Sequence, residues 1–197
     1  MICSGDDVVM TVTHPTQGTA LWTSNGDTIA LAGVDSTITL TGVTMDTTIT
    51  VETVNSETEI ATPTPTASWS GQDGVYFTTY QAATLDTVSI YPNSTTGSEP
   101  INLIDVATGA TVFTTTASWS GITAGSELRV PVGASVGVGN FLLLRAGSTS
   151  GSWKDQYVGT GATGYPFWST DSNVVLTSGT YTSYIEYFFN WKFTVGG

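Results

Sequence analysis

Tyr184-Ile185-Glu186-Tyr187-Phe188-Phe189-Asn190-Trp191-Lys192-Phe193 is the stretch that decides the fold. Tyr187, Phe189 and Trp191 recur at every second position, so in an extended chain they share one face, while Glu186, Phe188 and Lys192 take the other. That period describes a strand with one buried face, and it predicts a single strand over 184–195.

The same rhythm runs back along the chain. Apolar and aromatic alternation predicts strands at 74–80, 85–91, 101–105, 111–115, 127–132, 140–145 and 174–176. Turn chemistry separates them at 92–97, Thr108-Gly109, 123–125, 133–139 and 147–152. Strands at this spacing argue for a larger Greek-key or jelly-roll-like β-sandwich. Before it, 8–13, 36–40 and 47–54 read as short strands, with turns at Asn25-Gly26 and Thr41-Gly42. Trp22 would pack across the centre of a small sandwich there. Helix-forming patterns are almost absent, so the chain is expected to be all-β.

The composition changes near residue 64. Up to that point there is one tryptophan and no lysine or arginine; beyond it lie five tryptophans, eight tyrosines and seven phenylalanines. Two Thr-Pro steps at 62–65 favour extended backbone and suit a hinge. The expected organisation is a spacer domain over 1–62, a Thr/Pro linker over 63–66 and an aromatic-rich sandwich over 67–197.

Charge narrows the partners. The net charge is −12, of which residues 1–65 carry −8 and the remainder −4. Binding a phosphate backbone or an anionic membrane needs clustered Lys and Arg, and the chain has four in all, so neither nucleic acid nor membrane insertion is expected. The apolar run Phe141-Leu142-Leu143-Leu144 reads as a buried strand and not a membrane span. Cys3 is the only cysteine, which excludes an internal disulfide. A glycan or a surface protein remains as partner.

Catalytic constellations are missing. His14 is the only histidine and precedes Pro15, with no serine motif or carboxylate pair beside it. Asp155, Asp171 and Glu186 lie in the aromatic region, but nothing in their spacing sets two of them across a cleft as glycoside hydrolysis requires. No enzyme is expected, and no cofactor. Calcium is the metal that acidic loops would suit, although no Asp-x-Asp-x-Asp loop occurs.

The aromatics offer a binding surface instead. Trp153, Tyr157, Tyr165 and Trp168 fall in or beside expected loops at 151–157 and 164–168, with Lys154, Asp155 and Gln156 as polar partners. Flat rings stack on the C–H faces of sugars while polar neighbours bond the hydroxyls. The expected ligand-binding residues are therefore Trp153, Asp155, Gln156, Tyr157, Tyr165 and Trp168. Thr-Ala-Ser-Trp-Ser-Gly occurs twice, at 66–71 and 116–121; the flanking residues differ, so coincidence is the expected explanation. Asp27-Thr28-Ile29, Asp35-Ser36-Thr37, Asp46-Thr47-Thr48 and Asp86-Thr87-Val88 fit an O-glycan acceptor pattern, and Asn93-Ser94-Thr95 an N-glycan triplet.

These residues carry a resemblance. Cys3-Ser4-Gly5-Asp6-Asp7-Val8-Val9-Met10-Thr11-Val12, then Trp22, Asn25-Gly26-Asp27 and Thr47-Thr48-Ile49-Thr50-Val51, resemble the short Ig-like repeats of secreted Bacteroidetes proteins. Thr50 stands where those repeats carry tyrosine. Residues 71–195 are similar to a β-sandwich module found beside such repeats. The similarity lies in Leu85-Asp86-Thr87-Val88-Ser89-Ile90-Tyr91, Ile101-Asn102-Leu103-Ile104-Asp105, Gly164-Tyr165-Pro166-Phe167 and the closing aromatic run. The resemblance implies an Ig-like first domain, display outside the cell or at its surface by type IX secretion, and adhesion or carbohydrate binding without catalysis. It also implies a fragment of a longer protein. A stalk without its own ligand and an accessory region of a polysaccharide-degrading enzyme are the alternatives.

Overall fold

The computed structural model describes residues 6–11, 19–24, 27–32, 37–43, 48–147, 151–158 and 164–196. Cys3, His14, the Asn25-Gly26 turn, Asp35, Asp46 and 159–163 lie outside the described residues. The protein is all-β, and its strands assemble into antiparallel sheets. It divides into two compact units, Met1–Ser56 with Val195–Gly197, and Glu57–Thr194.

The first unit holds β1 (Asp6–Thr11), β2 (Thr19–Ser24), β3 (Asp27–Ala32), β4 (Thr37–Val43) and β5 (Ile49–Val54). β1 pairs with β4, and β2 lies between β3 and β5. Trp22, on the central strand of that trio, is fully buried, as its isolation in a Thr-rich stretch suggests.

The larger unit runs through β6 (Ser56–Ile60), β7 (Ala67–Trp69), β8 (Gly74–Thr79), β9 (Ala83–Ile90), β10 (Thr96–Asp105), β11 (Thr111–Ser120), β12 (Leu128–Val136), β13 (Gly139–Arg145), β14 (Trp153–Tyr157), β15 (Phe167–Trp168), β16 (Val174–Gly179), β17 (Tyr184–Glu186) and β18 (Phe189–Val195). One sheet has the order β11-β10-β13-β8-β16-β15, and a second has the order β12-β9-β18-β6. Only β10 and β11 among the long strands form a simple hairpin; β8 to β9, β11 to β12 and β12 to β13 each cross from one sheet to the other. Alternation along β12, β13 and β18 buries one face of each strand. Phe77 of β8 meets Trp191 and Phe193 of β18 at ring distances of 5.3 and 5.8 Å, which joins the two sheets through an aromatic core.

A third, three-stranded sheet, β17-β14-β7, carries the first of the two segments in which binding loops were expected, 151–157, while 164–168 leads into β15 of the six-stranded sheet. Residues 153–157 form a strand there, because the segment alternates Trp153, Asp155 and Tyr157 with Lys154 and Gln156 and pairs on both sides.

The closing aromatic run also differs from expectation. It is two strands in two sheets, broken at Tyr187, whose φ of 66° lies in the left-handed region. The Phe188 amide donates to the Glu186 carbonyl at 2.7 Å across that break. The break puts both Tyr187 and Phe188 inside, where strict alternation would expose one of them. β12 likewise continues past the turn expected at Gly133, since a bulge between Pro131 and Ala134 absorbs that glycine at a φ of 69°.

The division between the units falls at Ser56/Glu57, and the Thr/Pro segment lies within the second unit, joining β6 to β7. It is held at both ends. The Asn190 amide donates to the Thr62 hydroxyl at 3.1 Å, and the Thr66 amide donates to the Asp155 carbonyl at 3.2 Å. β6 itself buries Thr58 and Ile60, and the Thr58 hydroxyl donates to Asp171 at 2.9 Å. Burial alone would raise the Asp171 carboxyl, but bonds from Ser169, Asn173 and Thr58 outweigh it and hold the group below its ordinary range.

A fragment over 57–197 is therefore expected to melt well above one over 66–197, which lacks β6 and the Ile60 side chain. Equal melting temperatures by circular dichroism would show that β6 adds nothing to this unit.

Candidate functional site

The third sheet presents a built depression. Directly opposed residues of neighbouring antiparallel strands project to the same face. The register opposes Asp155 to Glu186 and to Ala67, Trp153 to Trp69, and Tyr157 to Tyr184. Ala67, Ser68, Trp69, Asp155, Tyr184 and Glu186 line a pocket of about 410 Å³, and Tyr181 closes it from the β16–β17 connection. Among sites of this size, apolar walls with a few convergent polar groups are the usual arrangement for a small ligand.

Its walls are rings held in place. Trp69 and Tyr181 remain 50% and 56% exposed and meet edge to face at 6.4 Å. The Trp69 indole N–H donates to Asp73 Oδ2 at 3.1 Å, which fixes the plane of the ring. Tyr181 is positioned through Glu186: its amide donates to Glu186 Oε1 at 2.6 Å, while the Thr180 amide and hydroxyl donate to Oε2 at 2.6 and 2.9 Å. A side chain at Gly179 would run into the Tyr184 carbonyl, so glycine there permits the tight approach of the two segments.

The floor is acidic. Asp155 is only 7% exposed, and its Oδ1 is buried without a hydrogen-bond partner. Burial raises its pKa above the ordinary carboxylate range. Burial also pushes Glu186 up to about 7, with Asp73 adding to the rise, against the opposing hydrogen bonds from Tyr181 and Thr180. Expected calcium chemistry has no matching cluster: among the described residues no group of three or more His, Cys, Asp or Glu is placed to hold a metal ion.

The six residues singled out in the sequence do not gather in one place. Asp155 lines the pocket. Trp153 is fully buried, meeting Trp119, Tyr187 and Phe188 edge to face, so it presents no ring to a ligand. Its place under the third sheet, and not in a loop, is the reason. Gln156 is used within the fold, accepting from the Thr66 hydroxyl and donating to the Tyr157 carbonyl. Tyr157 is exposed and packs against Tyr184. Tyr165 donates its hydroxyl to the Tyr184 carbonyl at 3.0 Å, bracing that strand from outside the pocket lining. Trp168 is half exposed and stacks on Tyr80 at 5.8 Å, away from the pocket-lining residues.

Trp69, Tyr181, Tyr184 and Glu186 were not among them. A signal existed for Glu186: Trp153-Lys154-Asp155-Gln156-Tyr157 and Tyr184-Ile185-Glu186 both carry an acid in phase with aromatic residues. Pairing these strands antiparallel sets the two acids directly opposite each other in the register. No protein-family model, curated protein or solved structure matches this chain.

Two outcomes follow from the geometry. Trp153→Ala should cost about 3–5 kcal/mol in denaturant unfolding, as loss of a large core ring does; a cost near zero would remove Trp153 from the core. Glu186 holds its proton more tightly folded than unfolded, where its ordinary value of 4.5 applies. The stability tied to it is therefore complete at low pH and is lost as pH rises through about 7. Melting temperature should decline between about pH 5 and 8, less so in Glu186→Gln; an identical slope in both proteins would contradict this.

Proposed function

We propose that this protein is a non-catalytic carbohydrate-binding β-sandwich of the kind displayed outside the cell, with its ligand seated in the pocket of the β17-β14-β7 sheet. The observation that carries the reading is the meeting of two half-exposed, pre-positioned rings, Trp69 and Tyr181, in the lining of one pocket that Asp155 also borders. A sugar ring has an apolar C–H face and a hydroxyl edge. Trp69 and Tyr181 suit the first, and Asp155 suits the second. Because Trp69 is already bonded to Asp73, little side-chain entropy is lost when a ligand stacks on it. The acidic, lysine-poor surface disfavours polyanions and leaves neutral or cationic glycans. Display outside the cell rests on the resemblance of the sequence to secreted surface proteins.

Two carboxylates facing each other in a pocket also raise the question of glycoside hydrolysis. Both oxygens of Glu186 are taken by donors from Thr180 and Tyr181, which makes it a positioning residue for Tyr181, and Asp155 is almost wholly buried. Binding without turnover is the reading this favours.

Calorimetry with soluble oligosaccharides tests it. Trp69→Ala should weaken binding by about 1–3 kcal/mol and change the melting temperature little, while reducing-sugar assays show no release of product. Unchanged affinity in Trp69→Ala would move the ligand elsewhere, and turnover abolished by Asp155→Asn would replace binding with catalysis.

A further inference from the structure

We propose that the β11 edge of the six-stranded sheet is the contact surface of a symmetric dimer, in which β11 pairs antiparallel with β11 of a second copy of this chain. A strand at the end of a sheet directs half of its backbone N–H and C=O groups outward, where they form a template for another strand. Among the described residues, the three sheets of the larger unit end in six strands, and five of these are blunted. β15 has two residues, and β7 and β17 have three each. β12 carries Arg129 and Pro131 and is bulged between Pro131 and Ala134. β6 carries Glu57 and Glu59. β11 has none of these devices. Its ten residues include no charge, no proline and no glycine. Phe113 to Ser120 oppose Leu103 to Thr96 one for one, and the register shift lies at the start of the strand.

Two observations favour a copy of the same chain as the partner. Phe113 and Thr115 oppose Leu103 and Ile101, both fully buried, yet they remain partly exposed themselves. The inward face of β11 is thus incompletely covered, and a strand added beside it would shield Phe113 from water. An in-phase copy brings its own Phe113 and Thr115 to that same face. The second observation is electrostatic. Chains of net charge −12 repel one another, so two copies need an acid-free strip on which to meet. β11 carries no acid, and beside Phe113–Ser120 the one acid of β10, Glu99, is buried against Arg145. A cationic partner would be drawn to acids that this edge lacks. Antiparallel pairing of identical strands has a two-fold axis, so each copy closes the edge of the other and assembly stops at two.

Sedimentation velocity of the full chain over a concentration series tests this. A monomer–dimer equilibrium is expected, with the dimer favoured by added salt, because screening weakens the repulsion between like-charged copies. With the faces in phase and the regular segments overlapped, exposed Thr116 meets Thr116 or Ser118 of the second copy. Thr116→Lys then sets two lysines beside or diagonal to each other and should weaken dimerisation at least about tenfold. Thr177→Lys makes the same charge change at an exposed position of β16 and should leave the dimer unaltered. Hydrogen exchange on the unaltered protein is independent of how the variants fold: amides of 113–120 should exchange more slowly as concentration rises. A monomer at every concentration and salt overturns the inference. A dimer equally strong in Thr116→Lys, or exchange at 113–120 indifferent to dimerisation, puts the contact on another surface and also overturns it. Dissociation by added salt, or growth beyond two copies, does the same.

Discussion

The buried Arg145 guanidinium is the constraint around which the larger unit is arranged. Its side chain is fully buried at the end of β13, and it pairs with the equally buried Glu99 of β10. A charge in that position is tolerated only if it is paired. Arg145 also donates to the Gly151 carbonyl, just before β14, and lies 4.6 Å from the centre of the Trp153 ring and 5.3 Å from that of Tyr187. One side chain thus ties the main sheet to the entry of β14 and to the break between β17 and β18. The third sheet is seated on the core through these contacts.

From that seat the pocket follows. Trp153 is pressed into the core by Arg145, Trp119, Tyr187 and Phe188, which anchors one end of β14. Two residues further along, Asp155 is carried to the pocket floor, and two further still, Tyr157 reaches solvent. The face of the small sheet is covered at one end and open at the other. Glu186, fixed by register opposite Asp155, spends its oxygens on holding the Tyr181 segment over the opening. Glu186 accepts three hydrogen bonds, while Asp155 keeps one buried oxygen without a donor, so the two acids differ in role although they are neighbours.

The duplicated Thr-Ala-Ser-Trp-Ser-Gly shows how far local sequence reaches. Its first copy places Trp69 on a three-residue strand beside β14, half exposed as a pocket wall. Its second copy places Trp119 on the long β11 strand, only 6% exposed, bonded to Ser94 and packed against Trp153. Both copies are strands, as their composition favours. Only the surroundings make one ring a surface and the other a core residue. The same limit applies to Trp153 and Trp168, which look alike as aromatics near glycines and differ completely in burial.

The sequence alone determined that the chain is all-β, because alternation with a period of two and scarce helix formers leave no other regular structure to bury the aromatic faces. It also determined the acidic surface, since net charge does not depend on folding. The tertiary structure decided where strands end and which residues form a site. The break at Tyr187, the bulge at Gly133 and the pairing of β14 depend on partners far along the chain, and no local pattern encodes them. Asp155 was legible as a candidate from its aromatic neighbours. Its companions Trp69, Tyr181, Tyr184 and Glu186 were not, because a pocket is a property of register and burial, and both are settled only when distant strands meet.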